Sequence, residues 1–177
     1  MKTSHVLTVF IITLLAFTSG CKEESVKTDE GQYQQNFTGQ LTGHTGCKTY
    51  QKSISFPDSS DTLSCIEYLY DVKNYKLSLK HINAGFNCCP ESLYCLISLR
   101  NDTIFFEEHE KIPGCHCDCL FDLNLEIIGV MAKRYFLKFI EPYCGEQEKL
   151  EFDIDLTTAQ QGNYCVKRTR YPWGSGV

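Results

Sequence analysis

The cysteines are the residues of this sequence whose type and spacing could do the most chemistry. A Cys-x-Cys-x-Cys run occupies residues 115–119, and an adjacent pair of cysteines lies at 88–89. Thiolates are the ligands that soft metals such as Zn²⁺ and Cu(I) prefer. A metal-handling site would therefore draw on these side chains: Cys88, Cys89, Cys115, Cys117, Cys119 and His116.

Disulfide bonding is the other chemistry open to these cysteines, and their spacing favours it. Zinc sites usually place two ligands two to four residues apart with a turn between them, and exported cysteines without a metal normally oxidise. A redox role is disfavoured, because no Cys-x-x-Cys motif opens a helix in this sequence. We therefore predict a protein without a metal or other cofactor. The predicted disulfide-bonding residues, whose pairing stays open, are Cys47, Cys65, Cys88, Cys89, Cys95, Cys115, Cys117, Cys119, Cys144 and Cys165.

Acidic residues near the middle of the chain offer a second kind of chemistry. Glu107, Glu108 and His109 could supply the acid and base of a small hydrolase, but the favoured interpretation is a solvated strand end and loop. Motifs for a nucleophilic serine, a phosphate-binding loop or a zinc protease are absent from the sequence. The sequence therefore favours a noncatalytic protein over an enzyme.

Aromatic residues near the C-terminus form a weak candidate binding site. Tyr164, Tyr171 and Trp173 lie near several basic residues, and exposed aromatic rings can stack on sugars or anchor a protein partner. The alternative is that these rings cover the end of the fold and its edge strand. Whether the ligand is a protein or a glycan stays open.

The first 20 residues have the pattern of an export signal. Lys2 precedes an apolar run from Val6 to Phe17, and small residues follow at 18–20. The run is 12 residues long, whereas a helix needs about 20 to cross the hydrocarbon core of a membrane. We predict a signal peptide over residues 1–20 and no retained transmembrane helix.

Thr18-Ser19-Gly20-Cys21 resembles the lipobox of bacterial lipoproteins, in which a cysteine after small residues is acylated and becomes the mature N-terminus. The resemblance implies lipidation of Cys21 and attachment of the protein to a membrane. Use of Cys21 in this way leaves an even number of cysteines, which can pair completely. The alternative is ordinary cleavage after Gly20, which would give a secreted protein.

Lys22-Glu23-Glu24 is similar to the charged tag by which some surface lipoproteins of the Bacteroidetes type reach the outside of the outer membrane. The resemblance implies an outer-membrane protein exposed at the cell surface, and the alternative is a plain solvated linker. Residues 21–46 lack hydrophobic periodicity. We therefore predict that residues 21–46 form a lipidated N-terminus followed by a flexible tether.

Residues 47–177 predict a single β-rich domain. From residue 61 to residue 171, apolar and polar side chains alternate with a period of two in short segments separated by turn signals. About eight such strands indicate an all-β antiparallel sandwich or barrel stapled by disulfides. The alternation also places Cys115, Cys117 and Cys119 on the inward face of one strand, from which they should bond to other segments. The predicted core residues are Leu77, Leu79, Ile97, Leu123, Leu125, Phe152 and Ile154.

The charge of the chain narrows the choice of partners. A net charge of −5 is too acidic for a general binder of nucleic acid phosphates, so nucleic acid is not a predicted partner. The sequence therefore predicts a lipid-anchored protein of the bacterial cell envelope with a noncatalytic binding or accessory role. The alternatives are a periplasmic metal-handling protein that uses the cysteines and a small hydrolase that uses acidic residues.

Overall fold

The computed structural model describes residues 37–48, 63–111 and 115–170 of the 177-residue chain. Within these ranges the protein is all-β, with nine strands and no helix, so none is present that could cross a membrane. The strands are Thr38–His44 (β1), Leu63–Asp71 (β2), Lys76–Asn87 (β3), Ser92–Arg100 (β4), Thr103–Lys111 (β5), Asp118–Ile128 (β6), Arg134–Ile140 (β7), Glu151–Asp155 (β8) and Gln161–Lys167 (β9). The predicted fold class is confirmed.

The nine strands form two sheets that enclose the core. The first sheet has the order β1-β6-β3-β2-β9, and the second has the order β4-β5-β7-β8. Neighbouring strands are antiparallel in both sheets, except for β5 and β7, which are parallel. The exception follows from the path of the chain, because β6 joins the first sheet before the chain returns to the second sheet as β7. The architecture is an antiparallel-dominated sandwich.

The core lies between the sheets and consists of the inward side chains of each strand. In β6, Leu123, Leu125 and Ile127 are at most 1% exposed, whereas Asn124 points to solvent. This period of two is the one predicted from the sequence. The predicted core residues that are buried are Leu77, Leu79, Leu123, Leu125, Phe152 and Ile154. The remaining one, Ile97, is half-buried and packs against the same core.

The two sheets also meet along their edges. On one side β1 packs against β4, and a Cβ on Gly39 would lie 2.6 Å from the Cβ of Ile97, so that only glycine allows this approach. On the other side the ring of Phe152 in β8 stacks on Tyr164 in β9, with ring centroids 4.4 Å apart. Because the sheets contact each other along both pairs of edges, the sandwich resembles a flattened barrel.

The strand β1 lies within residues 21–46, where the sequence predicted a lipidated N-terminus and a tether. Its sequence, TGQLTGH, contains one apolar aliphatic side chain, Leu41, so no alternation is visible. The segment is nevertheless a strand, because residues from Thr38 to His44 pair with β6. Hydrophobic periodicity therefore misses this strand, which pairs with β6.

Truncation of a core side chain tests the packing. Leu125→Ala and Phe152→Ala are each expected to lower the free energy of unfolding by about 2 to 5 kcal/mol, because each leaves a cavity between the sheets. Leu96→Ala is the control, since this side chain is 55% exposed. Urea denaturation measures all three, and a loss at Leu125 no larger than the loss at Leu96 would contradict the assignment of the core.

Candidate functional site

Eight cysteines lie at disulfide distance in four pairs. Their Cα atoms are 4.1 to 6.1 Å apart, which is close to the usual range for a disulfide. The pairs are Cys47–Cys119, Cys65–Cys165, Cys88–Cys117 and Cys89–Cys115. Each member of the Cys-x-Cys-x-Cys run therefore bonds to another segment of the chain, and not to its neighbours.

The predicted inward face of this run is correct only at its last cysteine. Cys119 is 3% exposed and belongs to β6, which begins at Asp118. Cys115 and Cys117 precede the strand and are exposed. Their bonds to the residues that follow β3, together with a 2.8 Å hydrogen bond from the Cys88 backbone N–H to the Cys117 carbonyl, hold them at the surface.

Cys95 and Cys144 are the two cysteines among the described residues that have no disulfide partner, and both are buried. Burial raises the pKa of the Cys95 thiol, and the charges of Glu108 and Glu107 raise it further. Cys95 is therefore an inert thiol at neutral pH. The sulfur of Cys144 lies 2.9 Å from an Nη1 of Arg168.

A group of polar side chains, here called the buried ionic network, lies at one end of the core. It begins with Ser64 on β2, His81 on β3 and Glu108 on β5. The Oγ of Ser64 is 2.9 Å from Nε2 of His81, and Nδ1 of His81 is 2.6 Å from Oε1 of Glu108. All three side chains share the inward face of their strands with core residues, so the two sheets bring them together.

Two residues just beyond the strands complete the network. Both carboxylate oxygens of Glu141, which follows β7, accept hydrogen bonds of 2.7 Å from Nη2 of Arg168, which follows β9. One of these oxygens also lies 3.8 Å from Nε2 of His81. Arg168 further donates a 2.6 Å hydrogen bond to the carbonyl of Glu148. The network thus joins strands of both sheets.

Burial and the neighbouring charges together shift the pKa values of His81 and Glu108. Burial opposes the charged form of His81, but the charge and hydrogen bond of Glu108 and the charge of Glu141 outweigh it and raise the pKa of His81. Burial also raises the pKa of Glu108, which His81 opposes only in part. The raised pKa values of His81 and Glu108 both favour a proton held between these two side chains. With that proton on His81, two cations face two anions, as buried charges require.

The order Ser64, His81, Glu108 is that of a nucleophile, its base and an orienting acid. Ser64 and His81 are 0% exposed, and Glu108 is 3% exposed. A substrate therefore has no access to the Ser64 hydroxyl in this structure. The arrangement holds the two sheets together and does not form an open active site.

The acidic residues singled out in the sequence are separated by the alternation of β5. Glu108 points into the core, whereas Glu107 and His109 lie on the outer face. Neither Ser64 nor His81 is among the site residues predicted from the sequence. The alternation of β3 places His81 on the same face as the apolar residues Leu77 and Leu79, which indicates an inward histidine. The sequence does not show which side chains His81 contacts, so this position alone does not indicate a site.

The outer face of the second sheet is a candidate contact surface. Tyr94 is 46% exposed and Leu96 is 55% exposed. Tyr94 stacks on His109 with ring centroids 5.0 Å apart, and the guanidinium of Arg100 lies 5.1 Å from the centroid of Phe105. Exposed apolar groups of this kind often mark the contact surface for a partner.

Several predicted features lie outside the described residues: the signal peptide 1–20, Cys21, Tyr171 and Trp173. Tyr164 lies within them, half-buried in its stack on Phe152. Searches with the chain against protein-family models, curated proteins and solved structures found no match.

Proposed function

We propose that this protein is a lipid-anchored domain of the bacterial cell envelope with a noncatalytic binding or accessory role. The observation that carries the proposal is the pairing of eight cysteines, because disulfides form and persist in oxidising compartments outside the cytosol. The apolar run before Cys21 supplies the export that such pairing requires. The lipobox-like residues that end at Cys21 supply the anchor, and Lys22-Glu23-Glu24 favours the outer membrane and the cell surface.

The closed ionic network and the open outer face support a binding role over catalysis. The one nucleophile–base–acid arrangement described above has no exposed serine. By contrast, Tyr94 and Leu96 stand in solvent on a broad sheet face. A protein or glycan ligand would contact these side chains, since aromatic and apolar groups supply most of the contact energy in such complexes.

Acylation of Cys21 gives the proposal a direct test. The chain with Cys21→Ser, exported behind an ordinary cleavable signal, is expected to leave the membrane fraction and appear in the soluble fraction. The reason is that each buried CH₂ of an acyl anchor contributes about 0.8 kcal/mol to membrane binding. Cell fractionation with immunoblotting measures the distribution.

The matched control is Ser25→Ala with the native signal, which changes a small residue next to the anchor and should stay with the membrane. Mass spectrometry of the mature N-terminal peptide provides the second measurement. An unmodified cysteine at the mature N-terminus of the native protein would contradict the lipid anchor and leave a secreted protein.

A further inference from the structure

The sulfur atoms of two disulfides lie together at one end of the fold and form what is here called the cysteine cluster: Cys88, Cys89, Cys115 and Cys117. The sulfurs of Cys88, Cys115 and Cys117 lie within 4.8 Å of one another, and Cys89 is bonded to Cys115. Residues 88–89 follow β3, and residues 115–117 precede β6, which is paired with β3. The ladder therefore brings four sulfurs from two segments to one place.

The backbone at the cysteine cluster has supports other than the disulfides. The N–H of Cys88 donates to the carbonyl of Cys117 at 2.8 Å. The side chain of Asn87 donates to the carbonyl of Cys115 at 2.8 Å and accepts from the N–H of Cys89 at 3.0 Å. Asn87 is itself 5% exposed, and its N–H donates to Glu110 at 2.7 Å. These bonds would keep the two segments in place after the disulfides are reduced.

The cysteine cluster is accessible to solvent, as is the Cys65–Cys165 disulfide, in which Cys165 is exposed and Cys65 is half-buried. Cys115 and Cys117 are exposed, and Cys88 and Cys89 are half-buried. The bond between Cys47 and Cys119 has one buried partner. A soluble reductant therefore reaches the two disulfides of the cluster easily, and exposed disulfides are typically the labile ones.

We propose that the reduced cysteine cluster binds one Zn²⁺ through four thiolates, a metal site that goes beyond the proposed binding role. Each disulfide takes two electrons and two protons and gives two thiols. A dithiol supplies both and becomes a disulfide, whereas a phosphine supplies the electrons and becomes a phosphine oxide, with the oxygen and the two protons coming from water. Binding of Zn²⁺ then releases the four thiol protons and forms four Zn–S bonds. Tetrahedral coordination with Zn–S bonds of about 2.3 Å separates the sulfurs by about 3.8 Å, a spacing that suits the sulfurs of Cys88, Cys115 and Cys117, which lie within 4.8 Å of one another.

The structure also narrows the ligand set predicted from the sequence. Cys119 is engaged with Cys47 and buried in β6, so it does not belong to the site. His116 is exposed between two of the ligands and is not needed to complete four-fold coordination. A set of four cysteines is a common composition of structural zinc sites.

Zinc titration of the mildly reduced mature protein tests the proposal. Treatment with a phosphine under anaerobic conditions should reduce both disulfides of the cysteine cluster, as thiol labelling with peptide mapping shows, and the protein should then take up one Zn²⁺ per chain, measured by competition with a chromogenic chelator. The oxidised protein should take up none. Circular dichroism shows whether the reduced protein keeps its β-structure, and Co²⁺ in place of zinc should give the thiolate-to-metal absorption of a tetrahedral site.

A pair of double variants separates this site from adventitious binding. Cys88→Ser with Cys117→Ser removes two ligands and should abolish the uptake of one equivalent. Cys95→Ser with Cys144→Ser removes two unpaired cysteines and should leave it unchanged. Absence of zinc uptake by the reduced, folded wild type, or full uptake by the Cys88/Cys117 variant, would overturn the proposal.

Discussion

Replacement of Arg168 by methionine is expected to lower the free energy of unfolding by about 3 to 5 kcal/mol, because it leaves Glu141 as a buried charge without its cation. The Arg168 and Glu141 side chains are 0% and 3% exposed, and their ion pair spans 2.7 Å. The loss is far larger than that expected for a surface pair. Urea denaturation at neutral pH measures it.

Two further variants identify the cause of that loss. Lys111→Met breaks an exposed pair of similar length, 2.6 Å to Glu91, and should change stability little. Arg168→Met combined with Glu141→Leu removes one cation and one anion, which leaves His81 and Glu108 as a neutral pair. The double variant should therefore recover much of the stability. If it is no more stable than Arg168→Met alone, lost packing and not the unpaired charge is responsible.

Removal of the Cys65–Cys165 disulfide has the second large expected effect. These residues face each other in the ladder of β2 and β9 and are separated by 100 residues along the chain. The other disulfides shorten the loop that this bond closes, and the chain-entropy model then gives a loss of about 4 kcal/mol. Cys65→Ala with Cys165→Ala, compared with the wild type by urea denaturation under nonreducing conditions, measures it.

The matched control is Cys89→Ala with Cys115→Ala. This bond lies inside the loop closed by Cys88–Cys117, so its removal frees little additional chain and should cost much less. Equal losses in the two double variants would show that loop closure is not the source of the stabilisation.

How far the sequence predicts the fold depends on how each strand is stabilised. In β6 and β8, one face packs on the core and the other meets water, so alternation reveals both strands and their buried residues. In contrast, β1 pairs with β6, but its single apolar aliphatic residue, Leu41, gives no period to detect. The parallel pairing of β5 with β7 is set by the order in which the chain visits the two sheets, which alternation does not encode.

The candidate site was less predictable for a different physical reason. A charged residue in a strand normally points to water, so Glu108 was interpreted as part of a solvated strand end. Its inward position is favourable only because His81 and Arg168 reach the same place from strands distant in sequence. Pairing of the cysteines is likewise a property of the folded chain, because spacing alone leaves many connectivities open.

A thiol count on denatured, nonreduced protein tests the central claim, an exported domain stapled by four disulfides. The exported Cys21→Ser chain is the suitable sample, since its ten remaining cysteines all lie in the described part of the chain. The structure predicts two free thiols per chain, those of Cys95 and Cys144. Six or more free thiols per chain would contradict the claim.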